Sequence, residues 1–217
     1  MKTRLLVLGG NGMIGLAVLE RALMKQDIEV TAFVRTPSKI PEEIREKIKV
    51  LTGNILNPEN VADAMREQDA VISCMGQRRD FRRTTIFSQG IKNTVEGMRK
   101  HNVKYLQFAG IAALMPSAFK FPKFLVPIAY DAEDMMNYLK TVDDIIWVGV
   151  MAPNVSHQEF TGSCKVEENK LPGPSNVTKY DMAEWMVTSI TDEAVMEEHK
   201  HKFLGISSMS TSRCVLQ

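Results

Sequence analysis

The chain has 217 residues, 44% apolar and 24% charged, with a formal net charge of +1. That length allows one domain with a substantial core, and the composition excludes a disordered chain. A charge this close to zero gives no global attraction to nucleic acid or a membrane surface, so neither is expected as a partner.

In chain order, Leu5–Leu8, Val30–Val34, Val50–Leu51, Ala70–Cys74, Tyr105–Phe108 and Ile145–Val150 read as short buried strands. Apolar periodicity predicts helices over 13–25, 58–67, 84–101 and 130–141 between them. Strand–helix alternation with strands apolar on both faces predicts an α/β fold with a doubly wound, mainly parallel sheet. After Val150 the rhythm changes. Residues 152–177 are rich in Pro, Gly, Asn and Ser, and predict a small C-terminal lobe of substrate-side loops, with a strand in 162–169. Thr178 followed by Asp181 predicts a capped helix to about Ile190, and His201–Ser207 a last strand. Residues 1–207 therefore read as one domain and 208–217 as a flexible tail.

Cys74, Cys164 and Cys214 are odd in number and widely spaced, which fits neither a disulfide framework nor a CxxC metal pair. The four apolar residues Leu5–Leu8 are too few for a signal-peptide core, and no stretch approaches a membrane span. A cytoplasmic location is expected.

The first strand runs directly into Gly9-Gly10-Asn11-Gly12-Met13-Ile14-Gly15. In such a strand–turn–helix the first glycine permits the turn and the second lets backbone approach a pyrophosphate. The third lets the helix pack on the strand, and the helix N-terminus offers N–H groups to the phosphates. A turn that merely packs is the alternative; the strand before and helix after favour a dinucleotide in a Rossmann-type fold. An NAD enzyme places an acidic residue about 20 residues on, against the ribose 2′-hydroxyl. Here Val34 is followed by Arg35, with Thr36, Ser38 and Lys39 close behind. These groups suit a 2′-phosphate, so NADPH is expected over NADH, the alternative being a solvated basic turn. After the third strand, Asn54 and Ile55 offer an amide and an apolar neighbour to an adenine edge. Met75 and Gly76 end the fourth strand at the cofactor side of the sheet. Both stretches are also compatible with ordinary turns.

The glycine turn, Val34-Arg35, Gly53-Asn54-Ile55 and Met75-Gly76 with Arg78 resemble the atypical short-chain dehydrogenases of NAD(P)-binding, NmrA-like type. Met151-Ala152-Pro153, Thr161-Gly162, Gly173-Pro174-Ser175 and Thr178-Lys179 with Asp181 resemble, within that group, the NADPH-dependent flavin reductase and biliverdin-IXβ reductase family. The likeness runs from about residue 4 to 206. It implies a monomeric reductase passing hydride from NADPH to flavins (FMN, FAD, riboflavin) or linear tetrapyrroles such as biliverdin. It places Gly9, Asn11, Gly12, Met13, Ile14, Gly15, Arg35, Ser38, Lys39, Asn54, Ile55, Met75 and Gly76 at the cofactor. Ala109, Ile111, Ala112, Pro153 and Asn154 then fall near the nicotinamide. Two of these, Ile111 and Asn154, occupy catalytic positions where the family carries a hydroxyl residue and a histidine. A further family histidine falls at about Ala132.

Carbonyl-reducing short-chain dehydrogenases use a tyrosine with a lysine four residues on as proton donor, and a positioned acid of that kind is worth about 10²–10⁴-fold. None of Tyr105, Tyr130, Tyr138 and Tyr180 has that lysine. A flavin or bilin instead delocalises the incoming charge until solvent protonates it, so positioning supplies much of the catalysis. A catalytically silent NADPH sensor fits the missing pair equally well. For the acceptor, Arg78 to Arg83 offer four arginines to a phosphate or propionate, or form a solvated loop. Leu114, Met115, Phe119, Phe121 and Phe124 offer an apolar platform, or pack beneath a loop.

His199 and His201 lack a third fixed metal ligand and read as solvated, so no metal is expected. His157 is a candidate stand-in for the histidine missing at Asn154. Cys74 reads as buried and inert. Met24, Met65, Met98, Met135 and Met136 read as core filler.

Overall fold

The computed structural model describes residues 2–76, 84–111, 126–172 and 176–209. The strands are β1 (Thr3–Leu8), β2 (Ile28–Val34), β3 (Lys49–Thr52), β4 (Ala70–Ser73), β5 (Tyr105–Ile111), β6 (Ile146–Ala152), β7 (Val155–Ser156), β8 (Cys164–Glu168), β9 (Val177–Thr178) and β10 (Lys202–Ser208). The helices are α1 (Met13–Leu23), α2 (Glu42–Arg45), α3 (Pro58–Ala64), α4 (Ile86–His101), α5 (Val126–Leu139), α6 (Lys179–Ile190) and α7 (Glu193–Glu198).

The main sheet runs β3-β2-β1-β4-β5-β6-β10-β8. Its pairings are parallel from β3 through to β10. Only the edge pair β10–β8 is antiparallel. This is the predicted Rossmann-type, doubly wound sheet. Successive β1 side chains show why its strands read as unbroken apolar runs. Leu5 and Val7 pack with α1, α6 and α7 on one face, whereas Leu6 and Leu8 pack with α3, α4 and α5 on the other. Burial on both faces removes the polar alternation of a half-exposed strand.

The segment after Ala152 divides its work. β7 and β9 form a separate two-stranded parallel sheet, and β8 and β10 extend the main one. Ser208, the first residue of the expected tail, is the last of β10 and pairs with Cys164. Residues 210–217 lie outside the described residues.

Several boundaries differ from expectation for local reasons. α1 ends at Leu23 because Met24 N–H donates to Arg21 O at 3.2 Å, tightening the last turn. α3 stops at Ala64, and Glu67 beyond it has φ 60°. α5 begins at Val126, before the predicted 130, because a proline in the first turn (Pro127) loses no intrahelical bond. Met24 is 66% exposed and is not core. Met65, Met98, Met135 and Met136 are buried.

The histidines are half-buried and packed rather than freely solvated. His201, with φ 61°, bonds Ile145 O through Nε2 at 2.9 Å and lies 5.5 Å from the Trp147 ring. His199 lies against Trp185, ring centres 6.4 Å apart, and its Nδ1 is 3.7 Å from Glu168. Among the described residues no three His, Cys, Asp or Glu side chains gather as a metal site. No described helix is long and apolar enough to cross a membrane.

Candidate functional site

Because β1 to β6 are parallel, their carboxyl ends share one edge. The chain leaves β1 toward β2 on one side and enters β4 on the other, so the crevice between β1 and β4 is the topological switch point where such sheets bind ligands. Gly9 follows β1 there, Arg35 follows β2, Asn54 and Ile55 follow β3, Met75 and Gly76 follow β4, and Pro153 and Asn154 follow β6. Ala109 and Ile111 end β5, where Ile111 pairs with Ala152. Ala112, Arg78, the other arginines of 78–83, Phe119, Phe121 and the rest of the apolar platform lie outside the described residues.

The glycines divide by what a side chain would meet. Gly9 has φ +76°, and a Cβ there would fall 2.7 Å from Cys74 O. At Gly15 a Cβ would fall 2.3 Å from Gly9 O, so only glycine lets α1 start this close to β1. Gly12 differs: its Cβ would meet only Gly9 O, at an ordinary 3.4 Å. Gly12 is the N-cap of α1, whose first turn has no side-chain cap and no acidic residue. The opening N–H groups, around Met13 and Ile14, thus face the crevice without a side-chain partner, and the dipole end is positive. A glycine with room where a Cβ would stand, over an uncapped helix start, is a cradle that fits a pyrophosphate.

The turn after β2 adjoins this cradle. Asn11 Nδ2 reaches Thr36 O at 3.4 Å, bridging the glycine turn to that segment. Pro37–Lys39 form a 3-10 turn closed by Lys39 N–H on Thr36 O at 3.2 Å. Ser38 and Lys39 are exposed on it, and Arg35 is exposed just before it. Neither cation forms a salt bridge with any described residue.

At β3, Asn54 Oδ1 accepts from Leu56 N–H at 3.1 Å, leaving its amide nitrogen for another partner. Ile55 O accepts from Asn93 Nδ2 at 2.9 Å, tying that loop to α4. Ile55 and Met75 both crowd Gly90 of α4, where a Cβ would lie 3.1 and 2.8 Å from them.

Near the predicted acceptor end, Asn154 is exposed and its Nδ2 donates to Asn176 Oδ1 at 3.3 Å. Its backbone O accepts from Val177 N–H at 3.0 Å. His157 is exposed beyond β7. Ala132, at the approximate position of the further family histidine, is buried in the core. The neighbouring Asp131 is buried and caps α4, accepting from Phe87 N–H at 2.8 Å, Ser88 N–H at 3.1 Å and the Ser88 hydroxyl. Sequence reasoning missed Asp131, Asn176 and Gln158, because their partners lie 44, 22 and 18 residues away.

Cys74 is buried, and burial pushes its thiol up to about 12. Burial, then the charge of Asp181, pushes Cys164 up to about 11. Neither is a nucleophile at neutral pH. A cavity of about 390 Å³ opens at the opposite, amino edge among Lys2, Lys25, Lys47 and Lys49. It contains none of the predicted site residues, and the edge carrying the glycine turn remains the candidate site.

The pattern of the NAD(P)H-binding family matches residues 9–193. Among solved structures, a wide-type short-chain dehydrogenase/reductase from Veillonella parvula in complex with NADP is 15% identical, with TM-score 0.80 and 97% of each chain covered. A Streptococcus pneumoniae protein provisionally assigned as an NADH-flavin reductase is 22% identical, with TM-score 0.78, covering 95% of this chain and 100% of its own. A Bacteroides thetaiotaomicron protein provisionally assigned as an epimerase is 23% identical, with TM-score 0.80, covering 96% of this chain and 98% of its own. At these identities the likeness is one of fold. The family match covers most of the chain, and this protein belongs to the NAD(P)H-binding family of Rossmann-fold proteins.

Proposed function

We propose that the protein is an NADPH-dependent reductase of flavins, and of related conjugated rings such as linear tetrapyrroles, acting as a cytoplasmic monomer. The carrying observation is the pair of exposed cations, Arg35 and Lys39, on the turn beside the glycine cradle, without an acidic residue at the end of β2. A guanidinium and an ammonium there favour the 2′-phosphate, and an acid would repel it. NADPH supplies the hydride. The chain's own residues seat it: Gly12 and the start of α1 at the pyrophosphate, Arg35, Ser38 and Lys39 at the 2′-phosphate, and Pro153 with Asn154 beside the nicotinamide. The missing tyrosine–lysine pair suits an acceptor whose ring holds charge until solvent protonates it. The likeness to the provisionally assigned flavin reductase agrees with this reading.

The test is oxidation of NADPH and of NADH with FMN as acceptor. Turnover with NADPH well above NADH is expected. Tight NADPH binding without turnover above buffer would favour a second reading, an NADPH-binding redox sensor. Ile111 and Asn154, in place of the family's hydroxyl and histidine, are the observations that favour that reading.

A further inference from the structure

We infer that Asn176 and Gln158, with Asn154, form a row of neutral carboxamides that recognises the –CO–NH–CO– edge of the acceptor ring. The row itself then suits a flavin's neutral pyrimidinedione rather than a carboxylate. The inference rests on the reductase reading above.

The row is continuous. Asn154 Nδ2 donates to Asn176 Oδ1 at 3.3 Å, and Asn176 Nδ2 donates to Gln158 Oε1 at 3.3 Å. Ser156 Oγ donates to the same Gln158 oxygen at 3.5 Å. Backbone hydrogen bonds tie its roots together. Val177 N–H donates to Asn154 O, and Ser208 N–H to Asn176 O, each at 3.0 Å. β7 and β9 pair Val155 with Val177 and Ser156 with Thr178 directly between them. The backbone thus sets the spacing of the amides at the end of β6, on the same edge as the cofactor crevice.

The side-chain bonds are long and lie on exposed or half-buried groups. A ligand edge can replace such bonds at little cost. Each carboxamide carries two N–H donors and an oxygen with two lone pairs. Asn154 Oδ1, Gln158 Nε2 and one N–H on each of Asn154 and Asn176 bond no described residue. A half-turn exchanges O and N, so the row can present donor or acceptor at each place. An imide alternates acceptor, donor and acceptor, which such a row can match. A carboxylate needs a cation, and no charged side chain joins the row among the described residues.

The test compares wild type, Gln158→Met and the double variant Gln158→Met/Asn176→Leu. Riboflavin binding to the NADP+-loaded protein is followed by quenching of flavin fluorescence. NADPH oxidation is measured with riboflavin and with menadione, a neutral quinone lacking an imide N–H. The expected result is about a tenfold weaker riboflavin Kd and higher KM in the double variant, with the menadione KM and turnover changed far less. Gln158 is exposed, so the single variant reads out, at about threefold, even if the double variant fails to fold. An unchanged riboflavin Kd in both variants, or parallel loss with menadione, overturns the inference. Wild type that binds riboflavin without turnover removes the reductase reading; a weaker riboflavin Kd in the variants then still supports the row as the imide's binding site, and an unchanged Kd overturns it. Wild type that reduces menadione but binds no riboflavin overturns the inference and leaves a reductase.

Discussion

Thr161 donates from its hydroxyl to the buried carboxylate of Asp181 at 2.9 Å, and from its backbone N–H at 3.0 Å. Gly162 N–H joins at 3.1 Å, the Thr178 hydroxyl at 2.8 Å, and the Ser208 hydroxyl completes the set. One carboxylate in the first turn of α6 thereby holds the loop before β8, its own N-cap and the end of β10. Asp181 is 2% exposed, so losing it leaves buried donors unpaired. Asp181→Ala is expected to destabilise the protein by about 2–4 kcal/mol in urea unfolding. A loss below about 0.5 kcal/mol would show that water replaces the carboxylate without cost.

The glycine turn predicts opposite outcomes three residues apart. In Gly15→Ala the new methyl would lie 2.3 Å from Gly9 O, so α1 must shift. A stability loss of about 2 kcal/mol or more is expected. In Gly12→Ala the methyl meets nothing closer than 3.4 Å. That variant should fold within about 1 kcal/mol of wild type yet bind NADPH at least tenfold more weakly, since the methyl fills the phosphate cradle. Unfolding curves and NADPH titration read both. Normal NADPH affinity in Gly12→Ala would place the phosphates elsewhere.

Cofactor choice follows from Arg35 and Lys39. Arg35→Ser/Lys39→Ser is expected to weaken NADPH by about 2–3 kcal/mol, close to a hundredfold in Kd, while NADH changes less than about threefold. Calorimetric titration with both coenzymes checks this; equal losses for the two would remove these cations from the 2′-phosphate.

Glu184 of α6 ties to α1 through Arg21 Nε, and to Lys25 Nζ just beyond that helix, each at 2.6 Å. Burial alone would raise the Glu184 carboxyl. The hydrogen bonds and charges of Lys25 and Arg21 outweigh it and hold the carboxyl below its ordinary 4.5. A folded-state value below the unfolded one means the stabilisation is present above about pH 4.5 and is lost as pH falls through the folded value. Wild type should exceed Glu184→Gln by up to about 1 kcal/mol near pH 6, and the gap should narrow near pH 4. Urea unfolding at the two pH values measures it, and a gap independent of pH would mean the pair contributes nothing through its charge.

The glycine turn and the elements that flank it were legible in the amino-acid order. β1, the glycine turn and α1 are contiguous, and their chemistry depends on neighbours only a few residues apart. Arg35 could be placed because the second strand is a single apolar run ending just before it. Short elements were not legible: α7, at six residues, and the 3-10 turn at Pro37 are too brief for a periodic signal. Thr178 was read correctly as an N-cap, its hydroxyl accepting from Asp181 N–H at 3.0 Å. The destination of the Asp181 carboxylate was not. Its partners Thr161 and Ser208 lie 20 and 27 residues away. Only the insertion of β10 between β6 and β8 brings them to one point. The carboxamides of Asn154, Asn176 and Gln158 likewise meet through β7–β9 pairing. A linear pattern encodes which backbone forms and which face is apolar. Where a buried polar group finds its partner is decided by chain closure over tens of residues, and that belongs to the tertiary structure alone.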